Sequence, residues 1–404
     1  MRLTYFFFRP LVSAAHGWVA FDLGTRAEER LSSQDIVRCL REANAGSLAA
    51  LHPLIIASKP AWLEQADLRE ALRPGQAIFM LPPSALDDEK ALATSKSLLA
   101  QDYHIGIAVD GKDMVRRVPR LSFDHVAMTA TLAHDELTAS TLGHFSDLGF
   151  RKIATEVTTQ ELYDWVATHG FAASHCGFLS ERNPAGGRQP DLARLKLLKL
   201  LSIVEHDGDT REIESIFREE PKLSYNLLRL VNSVAVGART RISNFSQAIT
   251  ILGRRQLQRW LQLLIYANNL AESNQPNPLM QLAATRGRLI ELLCKSINSP
   301  SGSAESCDNA FMTGLFSLLD VLLNMPMADI LKELPLQEEV VAALADPENG
   351  GVLGKLLSIV AHAEKGQFGR ASLLLDDLDI SPDTHAAAQV LALHWAARIN
   401  IGND

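Results

Sequence analysis

Cysteine is scarce. Only Cys39, Cys176, Cys294 and Cys307 occur in 404 residues, and none forms a C-x-x-C pair. A disulfide framework, a zinc ribbon and a thioredoxin-like site are thereby excluded. Four buried or half-buried thiols in a reducing cytoplasm are expected. Long apolar runs are also missing. None reaches the roughly 18–20 residues that a bilayer span needs. The stretch Thr4–Phe8 is cut by Arg9 and Pro10, too short for a signal-peptide core, and reads as a buried strand. There is no P-loop, Rossmann fingerprint or G-x-S-x-G elbow. His104, His125, His144, His169 and His175 offer no i, i+4 pair, so no zinc site is expected. The dipeptides His134-Asp135 and His206-Asp207 read as structural. Repeats and low-complexity tracts are absent.

What is present is a globular composition. Hydrophobic residues make up 47%, and 39 basic against 47 acidic residues give a net charge of −8. Wholesale disorder is excluded, and the length suits two or three domains.

The first 180 residues alternate between short apolar stretches and helix-like segments. Strands are expected at Thr4–Phe8, Trp18–Leu23, Leu54–Ala57, Ala77–Leu81, His104–Val109, His125–Met128, Phe150–Ala154 and near Phe171. Helical patterns lie at Ser33–Asn44, Pro60–Leu72, Ser84–Gln101, Asp135–Asp147 and Thr159–Thr168, several opening on capping residues. Such alternation predicts parallel strands, and seven or eight of them favour a closed β/α barrel.

The polar segment 181–190, rich in Gly and Pro, reads as a linker. Beyond it the periodicity is helical, with later helices at Arg254–Leu270, Met280–Ile297, Asn309–Leu323, Leu336–Leu344, Leu353–Ala363 and Thr384–Ile399. The expected fold class is α/β plus all-α: a barrel over 1–182, a linker at 183–190 and a helical domain over 191–404. Between Pro221 and Ala271 there is no Asp or Glu, but seven Lys or Arg, Lys222 through Arg259. This basic stretch docks on acidic parts of the chain or takes an anionic partner.

The segments Pro221-Lys222-Leu223-Ser224, Leu227–Ser233, Ile242-Ser243, Gln247–Gly253 and Ala310–Asp320 resemble an HDOD domain, a helical relative of the HD phosphohydrolases. By order and spacing, residues 1–185 resemble an EAL domain, the TIM-like barrel that hydrolyses cyclic di-GMP.

The resemblance implies two divalent ions held by carboxylates at the ends of barrel strands, with a Lys and a Glu near the attacking water. The first Glu of that pattern falls on Asp22. The strand-borne Asn falls near Met80, a poor ligand for a hard cation. The paired Asp motif keeps only Asp110. The Lys and Asp of the next strand fall near Ala127 and Thr129. Thr155 and Thr158 replace two Glu, with Glu156 one place off. The His-Asp site of the HD hydrolases falls near Ser317-Leu318.

Asp22 and Asp110 alone cannot hold two metals, so the expectation is no enzyme, no metal and no cofactor. The chain reads as a bacterial signalling scaffold acting through a protein partner, with cyclic di-GMP as a candidate ligand and Arg26 able to pair a phosphate. The candidate partner surface comprises Asn226, Arg229, Asn232, Arg239, Arg241, Arg254, Arg255 and Arg259. Two rival readings are a phosphodiesterase with ligands relocated to Asp22, Asp110 and Glu156, and a nucleic-acid regulator using Lys222 to Arg259. Nucleic acid is the disfavoured partner, since a single aromatic-plus-basic cluster around Trp260 is a weak signal.

Overall fold

The computed structural model describes residues 4–26, 31–182, 247, 254–267, 277–297, 304–334 and 336–399. They form two compact units, Met1–Glu181 with Ile359–Leu391, and Arg182–Ser358 with Ala392–Asp404.

The first unit is built on a closed barrel of eight strands in chain order: β1 (Phe6–Val12), β2 (Trp18–Thr25), β3 (Leu54–Ala57), β4 (Ala77–Leu81), β5 (His104–Ala108), β6 (His125–Thr129), β7 (Arg151–Thr155) and β8 (Ala173–His175). Strands β2 to β8 are parallel. The expected all-parallel arrangement fails at β1, which runs antiparallel to both β2 and β8. The cause is the connection. A parallel crossover takes about a dozen residues or more, whereas β1 and β2 are joined by a tight turn in which Ser13 N–H donates to Gly17 O at 2.9 Å.

Strand β1 also runs through Pro10, which the sequence reading treated as its end. Pro10 faces Phe21, whose N–H is turned away to Pro53 O at 3.0 Å, so the missing proline N–H removes no bond between β1 and β2.

The helices between strands start where the sequence offers caps. Ser32 and Asp35 form a capping box, and Asp88, Thr129, Thr138 and Thr159 each accept an N–H from the first turn that follows. The barrel interior alternates large and small residues. Leu11, Ile55, Ile78, Met80 and Ile153 interleave with Ala20, Ala127 and Ala173. Gly106 completes the fit: a Cβ there would lie 2.5 Å from Met80 Cε.

The sequence reading assigned 359–391 to the helical half, but this segment clusters with the barrel. It contains the helix Phe368–Asp377, which the sequence reading did not mark, and most of Pro382–Ala397. Tyr5 Oη donates to Ile380 O at 2.7 Å and bonds Asp376 Oδ1 at 2.9 Å, and the Phe7 ring stacks on Phe368 with centroids 5.0 Å apart.

The second unit is helical where described. Helices Pro278–Ile297 and Ala304–Phe316 cross closely, because a Cβ on Gly314 would come within 2.6 Å of the Arg286 carbonyl and one on Gly287 within 2.9 Å of Phe311 O. The apolar run expected as one helix over Asn309–Leu323 is two, Ala304–Phe316 and Leu319–Leu323. None of the four cysteines forms a disulfide, and Cys39, Cys294 and Cys307 are buried. Among the described residues, no helix is long and apolar enough to cross a membrane.

Candidate functional site at the barrel mouth

The C-terminal ends of the parallel strands form the barrel mouth, and the N-terminal end of β1 reaches the same rim. Side chains alternate in and out along a strand. Since Leu11, Ala20, Ala127, Ile153 and Ala173 point inward, so do Arg9, Phe7, Asp22, Gly24, Thr129, Thr155 and His175, nearer the mouth. Among these positions the carboxylate is Asp22.

Asp22 is largely buried and already satisfied. Arg9 donates to its Oδ2, and His175 Nε2 lies 3.4 Å from the same oxygen. The Glu156 N–H donates to His175 Nδ1 at 3.4 Å, which leaves the proton of the neutral ring on Nε2, facing Asp22. Burial alone would raise the Asp22 pKa; the hydrogen bond from His175 and the charge of Arg9 outweigh it and bring it to about 2.

Phe368 covers this side of the mouth. A Cβ on Gly24 would meet its ring at 2.3 Å, and the Arg9 guanidinium lies 5.0 Å from the ring centre. The same arginine thus neutralises Asp22 and stacks on Phe368. Behind them the Cys176 thiol is pushed up to about 12, first by burial and then by the charge of Glu364.

The other expected site residues do not join Asp22. Asp110 is exposed after β5. Glu156 is exposed and has a left-handed backbone (φ 56°). Arg26 is exposed in the turn after β2. Thr129 caps the helix that follows it, accepting Leu132 N–H at 3.2 Å. One carboxylate held by two basic groups, with a thioether at Met80, does not fit a pair of divalent cations. Among the described residues, the group able to hold a metal is instead His104, Asp124 and His125, at the opposite end of the barrel. Helical i, i+4 spacing does not reveal this group, because β5 and β6 pair side by side, with Gly106 opposite His125. The visible signal was that both histidines open consecutive strands.

In the helical unit, Arg259 is not available to an anionic partner. It pairs with Glu291 at 2.9 Å and Asp308 at 2.7 Å, and it lies over the Phe311 ring. Ser317 Oγ donates to Gly314 O and accepts from Arg286, while Leu318 is buried. Arg254 and Arg255 lie on the helix Arg254–Ala267, their side chains outside the described set. Asn226, Arg229, Asn232, Arg239, Arg241 and His206-Asp207 lie outside the described residues.

Residues 192–341 match the HDOD domain family. This segment is an HDOD domain. Over 302 residues the chain is 23% identical to the uncharacterized protein YuxH of Bacillus subtilis, covering 74% of this chain and 72% of that protein. Over 251 residues it is 25% identical to CdgJ of Vibrio cholerae, named a cyclic di-GMP phosphodiesterase, covering 62% of this chain and 56% of CdgJ. The chain therefore spans little more than half of CdgJ. Among solved structures it is similar to the EAL enzyme Bd1971 in a cGMP-bound form, at 10% identity and a TM-score of 0.36, over 43% of this chain and 60% of that one.

Proposed function

We propose that this chain is a non-catalytic scaffold of cyclic di-GMP-related signalling, in which the EAL-like barrel and the HDOD domain act by binding a protein partner. The observation that carries the reading is the state of Asp22: the one carboxylate at the described inward positions of the mouth is paired by Arg9 and held by His175, under the ring of Phe368. Metal-assisted hydrolysis needs several free carboxylates there, so the machinery for cleavage is not supported. The relationship to CdgJ supports the signalling context rather than the chemistry.

The test is calorimetric titration of the full chain with cyclic di-GMP in Mg²⁺ or Mn²⁺, followed by chromatography of the same mixture. Neither heat nor product is expected, and affinity capture with the full chain should then recover a signalling protein. Heat without product would make the chain a nucleotide receptor. Product would overturn the proposal.

A further inference from the structure

The floor of the barrel, at the N-terminal ends of the parallel strands, holds a cluster that the mouth does not use. His104 opens β5, His125 opens β6 and Asp124 precedes it. His104 Nδ1 lies 2.6 Å from Asp124 Oδ2, and His125 Nδ1 lies 2.8 Å from Asp124 Oδ1. The two imidazole rings are 5.3 Å apart. The carboxylate is fixed by backbone: Ile105 N–H donates to Oδ1 at 3.0 Å, and Asp124 N–H donates to Ile105 O at 3.0 Å. His125 is buried, while a third of the His104 side chain is exposed. An open groove lined by Tyr103, His104, Arg120, Leu121 and Asp124 leads to the cluster.

We propose that His104, Asp124 and His125 bind a divalent transition metal of the zinc class. Two imidazoles and one carboxylate are the donors that Zn²⁺ and its neighbours favour, whereas Mg²⁺ and Ca²⁺ require oxygen. A tetrahedral ion with bonds of about 2.0–2.1 Å sets its ligand atoms about 3.3 Å apart. The two rings now meet different oxygens of Asp124, so binding turns the carboxylate or one ring until a single oxygen and both Nδ1 atoms, all within 4.8 Å of one another, face the ion, each ring keeping its proton on Nε2. The groove leaves room for water at the fourth position. The ion would tie β5 to β6 where the ladder begins, remote from Asp22, and the inference does not depend on the function proposed above. The alternative is a carboxylate clamped by two protonated ring nitrogens, with no metal.

The experiment is titration of the chelator-stripped full chain with Co²⁺ and then Zn²⁺. One equivalent of Co²⁺ is expected to bind with a visible d–d band of four-coordinate intensity, and Zn²⁺ is expected to displace it. Millimolar Mg²⁺ is expected to leave the band unchanged. His104→Gln and His125→Gln should each weaken binding at least tenfold. Should the buried His125→Gln fail to fold, the partly exposed His104→Gln decides, with circular dichroism as the folding control. No saturable uptake by the wild-type chain, or uptake undiminished in His104→Gln, would overturn the proposal.

Discussion

The side-chain oxygen of Gln389 accepts the backbone N–H of Phe8 at 3.1 Å, across 381 residues of chain. Its amide nitrogen lies 2.8 Å from Phe6 O, and donates to it. One side chain therefore does the work of a strand. Strand β8 reaches only Leu11 and Val12 of β1, so nearer the mouth that edge of β1 has no ladder partner. Buried backbone groups without partners are costly, and the segment 359–391 supplies them.

A protein ending at residue 182 is accordingly expected to be unstable. It would expose this edge together with Tyr5 and Phe7, and should aggregate. Linking 359–391 back to it should restore a cooperative thermal transition. In the full chain, Gln389→Leu leaves one N–H and one C=O unpaired and should cost about 2–4 kcal/mol in urea unfolding. A cost below about 0.5 kcal/mol would mean that water takes over both groups.

The contact between Gly24 and Phe368 makes a coupling prediction. Gly24→Ala drives a methyl into a ring that is held between Phe7 and Arg9, and overpacking of this kind costs about 1–3 kcal/mol. With Phe368→Ala already in place, the same change should cost almost nothing. A double-mutant cycle in denaturant reads the coupling directly. Independent costs would show that the ring moves aside freely.

Acid should weaken the barrel unit in two stages. His385 is fully buried against Phe7 and Tyr5, and burial pushes its pKa from 6.5 down to about 3. It is neutral in both states above pH 6.5. Below that the unfolded chain takes up a proton and the folded chain does not, so stability falls by roughly 1 kcal/mol per pH unit between about 6.5 and 3. Asp22 acts later. Its carboxylate, lowered from 3.8 to about 2, contributes stability that is fully present above about pH 4 and lost as the pH falls towards 2. His385→Gln should flatten the first slope, and Asp22→Asn should lessen the second, in chemical denaturation repeated across pH. Asp124 contributes to the second slope as well, since its hydrogen bonds from His104 and His125 outweigh burial and lower its pKa too.

Seven of the strands could be found in the sequence, most of them as short apolar or β-branched runs bounded by polar turns, whereas the eighth, expected near Phe171, is Ala173–His175, whose Ser174 and His175 give no such run. Leu54–Ala57 and Ala77–Leu81 appear at their expected limits. Three features could not be read that way. The direction of β1 depends on how short its turn is, and strand composition carries no information about direction. The helix Phe368–Asp377 has exposed Leu373 beside buried Leu375, and its function in the barrel lies in contacts with Phe7 and Gly24, more than 340 positions away. The cluster of His104 with His125 arises from pairing between neighbouring strands, a distance that helical spacing rules do not measure. Part of the mouth was legible, since Thr129 and Thr155 stand at strand ends in the sequence, while the holding of Asp22 by Arg9 and His175 required the barrel to close.

The last prediction concerns Arg259, on the basic stretch that either docks on acidic parts of the chain or takes an anionic partner. Glu291 is fully buried and bonded to Arg259, Arg288 at 2.6 Å and Lys295 at 2.6 Å. Burial would raise its pKa, but Lys295, Arg288 and Arg259 together lower it. Removing this buried carboxylate breaks three ion pairs, leaving Arg259 with Asp308 and the partly exposed Arg288 and Lys295 to solvent, so Glu291→Ala should cost about 3 kcal/mol. Arg259→Ala leaves Glu291 two partners and forfeits one pair and the contact with Phe311. It should cost less, about 1–3 kcal/mol. Thermal unfolding of the two variants gives the order. A role in binding nucleic acid predicts something else for Arg259→Ala: unchanged melting and a smaller dependence of affinity on salt. The expected result is a lower melting temperature with no change in salt dependence, since a guanidinium held by two carboxylates has little left to offer a phosphate.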